Sequence, residues 1–167
     1  MSHALVTQFV NLMAALLLLI AFAMLAQRRI LRLIHLFALQ GAVLSANTLL
    51  VAFALDQPHL YFSALLTAAL KVVVLPWILH RLIDRLKLRW DVETLINIPT
   101  TMLIGIVLVI VAFNVALPIS ELAGTITRGT LGIAMASVLV SFLMMIARRQ
   151  AVAQVIGFLS MENGLFF

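Results

Sequence analysis

Long apolar runs separated by short polar turns set the architecture of this chain. Apolar positions run almost unbroken from about Ala4 to Ala26, from Leu33 to Leu55 and from Leu60 to Leu79. After a charged stretch they resume from Pro99 to Leu117, from Gly129 to Ala147 and from Ala151 to Phe167. About 20 such residues make a helix long enough to cross a hydrocarbon core of roughly 30 Å. The pattern therefore predicts an all-α fold, a polytopic membrane helix bundle of six spans. The sixth offers about 17 residues, the short limit for crossing. It reads as cut short, with at least one further span expected in the parent protein.

The polar breaks carry information of their own. Gln27-Arg28-Arg29, with Arg32 a turn later, ends the first run, and Asp56-Gln57-Pro58-His59 makes a tight turn after the second. From His80 to Glu93 the sequence HRLIDRLKLRWDVE mixes leucines with arginines and closes on Trp90. This reads as an amphipathic segment at the headgroups. Pro99 suits a first helical turn, Pro118 is expected to end the fourth span, and a polar loop is expected over Ile119 to Arg128. Gly132 and Ala136 stand in the small-xxx-small spacing that lets membrane helices approach closely. The chain reads as one membrane domain. Residues 1–95 form a three-helix part that includes the interfacial segment 80–93, and residues 96–167 form a second part.

Composition narrows the class. Of 167 residues, 65% are apolar and 10% charged, against about 25% charged in soluble domains, and mean hydropathy is +1.21. The net charge of +5 does not indicate nucleic acid, because the basic residues cluster at span ends. Arg28, Arg29, Arg32, Arg81, Arg85, Lys87, Arg89, Arg148 and Arg149 fall in alternate turns, leaving only Arg128 and the intramembrane Lys71 of the eleven cations elsewhere. By the positive-inside tendency those turns are cytoplasmic and the amino terminus is outside. MSH at the start lacks the positive charge of a signal peptide. With no cysteine, disulfides, thiolate metal sites and cysteine nucleophiles are excluded. Histidines and carboxylates show no metal-site spacing, no phosphate loop is present, and no cofactor is expected. The chain reads as non-catalytic by itself.

Two charges stand out by depth. Lys71 lies roughly 14 Å along its helix from the basic end, and Glu162 roughly 18 Å from the same side, at 1.5 Å per residue. An ionisable residue at bilayer depth is costly and usually faces a cavity or a partner. Burial disfavours the charged forms of acids and amines alike, so a lysine and a carboxylate at matching depth suit proton exchange. A structural ion pair is the plainer alternative. Gln40 and Asn47 share a helix face, and with His35 they suggest a polar ramp toward Lys71, although interhelical hydrogen bonding explains the amides as well. Thr67 and Asn163 lie beside the two charges as possible supporting residues. Pro76 weakens the backbone downstream of Lys71, as either a hinge or a packing kink. Arg148 and Arg149 read as a topology-setting basic turn.

The segment QVIGFLSMENGLFF, Gln154 to Phe167, and the lysine helix ALKVVVLPWIL, Ala69 to Leu79, resemble component E of hydrogenase-4, a membrane subunit of formate hydrogenlyase-type complexes. The last two spans, residues 129–167, also resemble the K-type subunit of respiratory complex I and the C-type component of multi-component cation/proton antiporters. In those families the glutamate on this helix belongs to the proton path, a role the resemblance implies for Glu162. It also implies a bacterial or archaeal cytoplasmic membrane. The implied partners are antiporter-like and quinone-site-like membrane subunits, with soluble [NiFe] hydrogenase and iron–sulfur subunits. Membership of a cation/proton antiporter and a purely structural scaffold remain the competing readings.

Overall fold

The computed structural model describes residues 3–55, 58–87, 91–122 and 128–167. They form six helical rods. We label these α1 (His3–Ala26), α2 (Ile30–Leu55), α3, α4 (Ile98–Leu122), α5 (Arg128–Ala147) and α6 (Ala151–Leu165). The α3 rod is composite, with α-helical Pro58–Ala68, a π-helical stretch Ala69–Val74 and α-helical Leu75–Leu86. Among the described residues, five rods are long and apolar enough to cross a membrane. The exception is α6, with 15 residues. The chain is thus an all-α bundle compatible with a multi-pass membrane protein.

In the bundle α2 packs on α1, α3 and α6, while α5 packs on α1, α4 and α6. The core gathers at one end, where Met24, Leu25, Ile30, Leu33 and Phe37 meet Ile83, Met144 and Ile156. This is the end that carries Arg28, Arg29, Arg148 and Arg149, and we call it the basic end. Leucine, valine and phenylalanine on α3 and α4 are largely exposed outside the core, as are Leu65, Trp77, Leu103 and Val107. In water such a surface would be costly at about 25 cal/mol per Å². In hydrocarbon it is the expected exterior.

The structure extends two spans past their predicted ends. Pro118 lies inside α4, which continues to Leu122, because a proline this near a helix end frees only one upstream carbonyl, that of Asn114. The third span runs on from Leu79 to Leu86, where Lys87 takes a left-handed conformation (φ 47°) and closes it. Leu79 and Ile83 explain the extension, since both are buried against the core one turn apart. Trp90, Arg89 and the Asp56-Gln57 turn lie outside the described residues.

After α3 the chain runs extended along the basic end and ties two turns together. Val92 N–H donates to the Arg28 carbonyl at 2.6 Å, Leu95 N–H to Ala147 at 2.9 Å, and Arg149 N–H to Glu93 at 3.1 Å. Gln150 adds a side-chain bond to the Asp91 carbonyl at 2.8 Å. These isolated bridges lock the α1–α2 and α5–α6 turns to the same short segment.

Candidate functional site: a buried lysine between two helices

Lys71 sits in the π-helical stretch, which widens the rod so that the Leu75 N–H reaches back five residues to the Leu70 carbonyl. Single π turns recur at functional positions in helices. Pro76 supplies a reason for one here. It has no N–H to give the Val72 carbonyl of a regular helix, so the turn upstream is free to open. On the other side stands Gly41 of α2. A Cβ there would lie 2.9 Å from the Lys71 Cβ and 3.5 Å from its carbonyl. Only glycine lets α2 come so close.

The lysine side chain crosses to α6. Its Nζ donates to Asn163 Oδ1 at 2.6 Å and lies 3.4 Å from Glu162 Oε1. The Phe166 ring completes the surroundings, its centroid 5.1 Å from Nζ, within the range of a cation–π contact. Asn163 in turn donates from Nδ2 to Gln40 Oε1 at 3.3 Å. Gln40 and Asn163 are fully buried, whereas the Glu162 side chain is 37% exposed. The two charges that the sequence placed at similar depth do meet.

The division of labour follows from chemistry. Neither amide ionises, so Asn163 and Gln40 hold the amine in place through a directed chain of donors. Lys71 and Glu162 are the groups able to exchange a proton. The shorter contact is to the neutral amide, and the carboxylate stands at the long edge of hydrogen bonding. The amine is thus anchored on Asn163, and its ion pair with Glu162 is looser. Among the described residues Gln40 Nε2 has no hydrogen-bond partner, although buried donors are almost always paired.

The other predicted residues are placed as follows. Thr67 lines a cavity beside Lys71. Asn47 is buried but does not join the lysine cluster, and its Oδ1 has no partner among the described residues. His35 lies at the basic end, its ring edge-to-face with His80 at 5.9 Å. Ile34 and Phe37, its neighbours along α2, belong to the apolar core, and among the described residues no hydrogen bond joins His35 to the lysine cluster, its Nδ1 lying 2.7 Å from the Leu31 carbonyl. Arg149 is exposed.

Arg148 proves more than a basic turn residue. It is 1% exposed, and its Nη2 donates to the Leu25 carbonyl at 2.6 Å and the Met24 carbonyl at 3.3 Å. A cation on the last carbonyls of a helix satisfies groups the helix itself leaves open. Burial lowers the Arg148 pKa from its ordinary value, although arginine remains charged in proteins.

No family model and no solved structure matches the chain. A relative from Mycobacterium tuberculosis (strain ATCC 25618 / H37Rv), named Uncharacterized protein Rv0085, is 32% identical over 150 residues. The match covers 89% of this chain and 68% of the relative. The chain belongs to the Rv0085 family. That name specifies no activity, so the chemistry of this member of the Rv0085 family is read from its own residues. Sequence reasoning passed over Gly41, whose importance lies in a contact between helices, and the capping role of Arg148. A buried-cap reading of Arg148 had one signal, its place directly after an apolar run.

Proposed function

We propose that the chain is a membrane subunit of a hydrogenase-4 or formate hydrogenlyase-type [NiFe] complex. In that complex it helps move protons and links antiporter-like subunits. The observation that carries the proton role is the Lys71–Glu162 pair, 3.4 Å apart, with Lys71 at the middle of the α3 rod and Glu162 in the last turn of α6. Intramembrane ionisable residues are rare, face a bundle interior or a cavity, and mark ion pathways and proton relays. Within the pair, Lys71 holds a proton in its ammonium form. Glu162 accepts it when the amine swings away from Asn163, and the π turn gives the backbone beneath Lys71 room to adjust. The assignment to a hydrogenase-type complex is supported by the Met161-Glu162-Asn163-Gly164 block and the lysine helix, the segments that resemble component E.

The test of the assignment is purification of the intact protein from native membranes in mild detergent, with its companions identified by mass spectrometry. Co-purification of [NiFe] and iron–sulfur subunits is the expected result. Antiporter-like subunits alone would move the chain to a cation/proton antiporter, and isolation by itself would overturn both.

A further inference from the structure

The lysine cluster is open on one side and sealed on the other. A cavity of about 360 Å³ touches Lys71 and Glu162 and extends along α2 and α3 past Thr67 and Thr48 to Ser63. Ser63 lies five residues into α3, roughly 8 Å along the helix from its start. The exposed Leu66, Leu70 and Phe166 form its apolar rim. The volume far exceeds the roughly 30 Å³ share of one water, and hydroxyls and charges supply the polar partners that ordered water needs. Thr48 donates to the Leu44 carbonyl at 3.0 Å, which leaves its oxygen lone pairs free to accept from water. Toward the basic end the contrast is complete. Gly41 is pressed against Lys71, and beyond it Phe37, Ile34, Leu79 and Ile156 form close-packed apolar core.

We propose that this cavity is a one-sided, water-filled access route by which hydronium reaches the Lys71–Glu162 pair from the α2–α3 turn end, with Ser63, Thr48 and Thr67 as its polar wall. The proposal rests on the proton reading above and adds its direction. The ionised pair at the blind end is neutral overall, so it does not turn hydronium away, and a proton handed along water needs no ligand shell of the kind a bound sodium or potassium ion does. Protons leave the pair only when the core side or a neighbouring helix rearranges.

Residues 1–167 contain no cysteine, so each introduced thiol is compared with the unsubstituted protein as its blank. Single substitutions Ser63→Cys and Thr67→Cys are made in the full-length protein and assayed in sealed native-membrane vesicles of both orientations, using a charged, membrane-impermeant thiol reagent. His59→Cys marks the α2–α3 end, and the exposed Arg149→Cys marks the basic end. Leu65→Cys, on the apolar exterior, sets the rate in lipid. Thiol modification follows access and thiolate character, so Ser63→Cys and Thr67→Cys are expected to react about tenfold faster than Leu65→Cys, and only from the His59 side. Reaction no faster than Leu65→Cys from either side would mean a lipid-filled groove and overturn the proposal. Equal reaction from the Arg149 side would overturn its one-sidedness. Labelling does not depend on proton movement. If the route labels as expected while a Glu162→Gln complex moves protons normally, the proton reading fails and the aqueous route stands.

Discussion

Two buried cations of this molecule sit in contrasting surroundings. Lys71 lies at mid-helix, on a widened turn, beside a carboxylate and a cavity. Arg148 lies at a helix end in dry core, and among the described residues it meets no carboxylate, only the carbonyls of Met24 and Leu25. The side chains suit these places. A lysine shifts its protonation readily when buried, whereas a guanidinium does not give up its proton. A fixed charge on a helix terminus locks α5 to α1, and a labile charge in a partly open cleft can exchange. The contrast teaches that two cations of similar burial can differ in partner set and openness, and the proposed proton role of Lys71 rests on that difference.

Substitutions can separate the two. The largest effect is expected from Lys71→Met. It should reduce coupled proton movement about a hundredfold, the lower end of what a positioned proton-transfer group contributes, while the complex still assembles. Proton uptake by vesicles, normalised to the amount of complex, checks this. If the rate is normal, Lys71 is as structural as Arg148.

Arg148→Met should do the opposite. It removes the bond to the Leu25 carbonyl, while the Met24 carbonyl keeps the Gln27 N–H at 3.2 Å, a loss of about 1–3 kcal/mol, read as a lower unfolding midpoint in detergent. Proton movement per assembled complex should be unchanged. Gly41→Ala lies between the two cases, because its new methyl meets Lys71 Cβ at 2.9 Å. Overpacking of that kind costs about 1–3 kcal/mol, and here it should lower both stability and proton movement by displacing the lysine. The smallest effect belongs to Ser141→Ala. It removes the 2.7 Å bond between buried hydroxyls of α5 and α6, which should cost about 0.5–1.5 kcal/mol with no change in proton movement.

What could be read from the sequence divides along the same line. Span positions follow from apolar run length, a local property, and the helices fall close to where the runs lie. Lys71 and Glu162 could be matched in depth, though not in contact, because depth is a count of residues along a straight rod. Which neighbour a helix face meets at each level is not such a count. Gln40 and Asn47 share a face of α2 but stand roughly 10 Å apart along it, and Gln40 reaches Asn163 while Asn47 stays apart. Contacts set by another helix were invisible for the same reason. Nothing local distinguishes Gly41 from other glycines until Lys71 is seen against it, and the extended ties of Val92 and Leu95 bring together turns far apart in sequence. Pro118 misled because a helix near its end can absorb one missing donor.

The central claim is that the Lys71–Glu162 pair carries protons rather than merely holding helices together. Proton movement driven by turnover of the complex, measured in vesicles containing Glu162→Gln and normalised to assembled complex, tests it most directly. The substitution keeps the shape and a hydrogen-bond acceptor for Lys71 and removes only the ionisable group. The account predicts that assembly is retained and coupled proton movement is largely lost. Normal proton movement in that variant would contradict it.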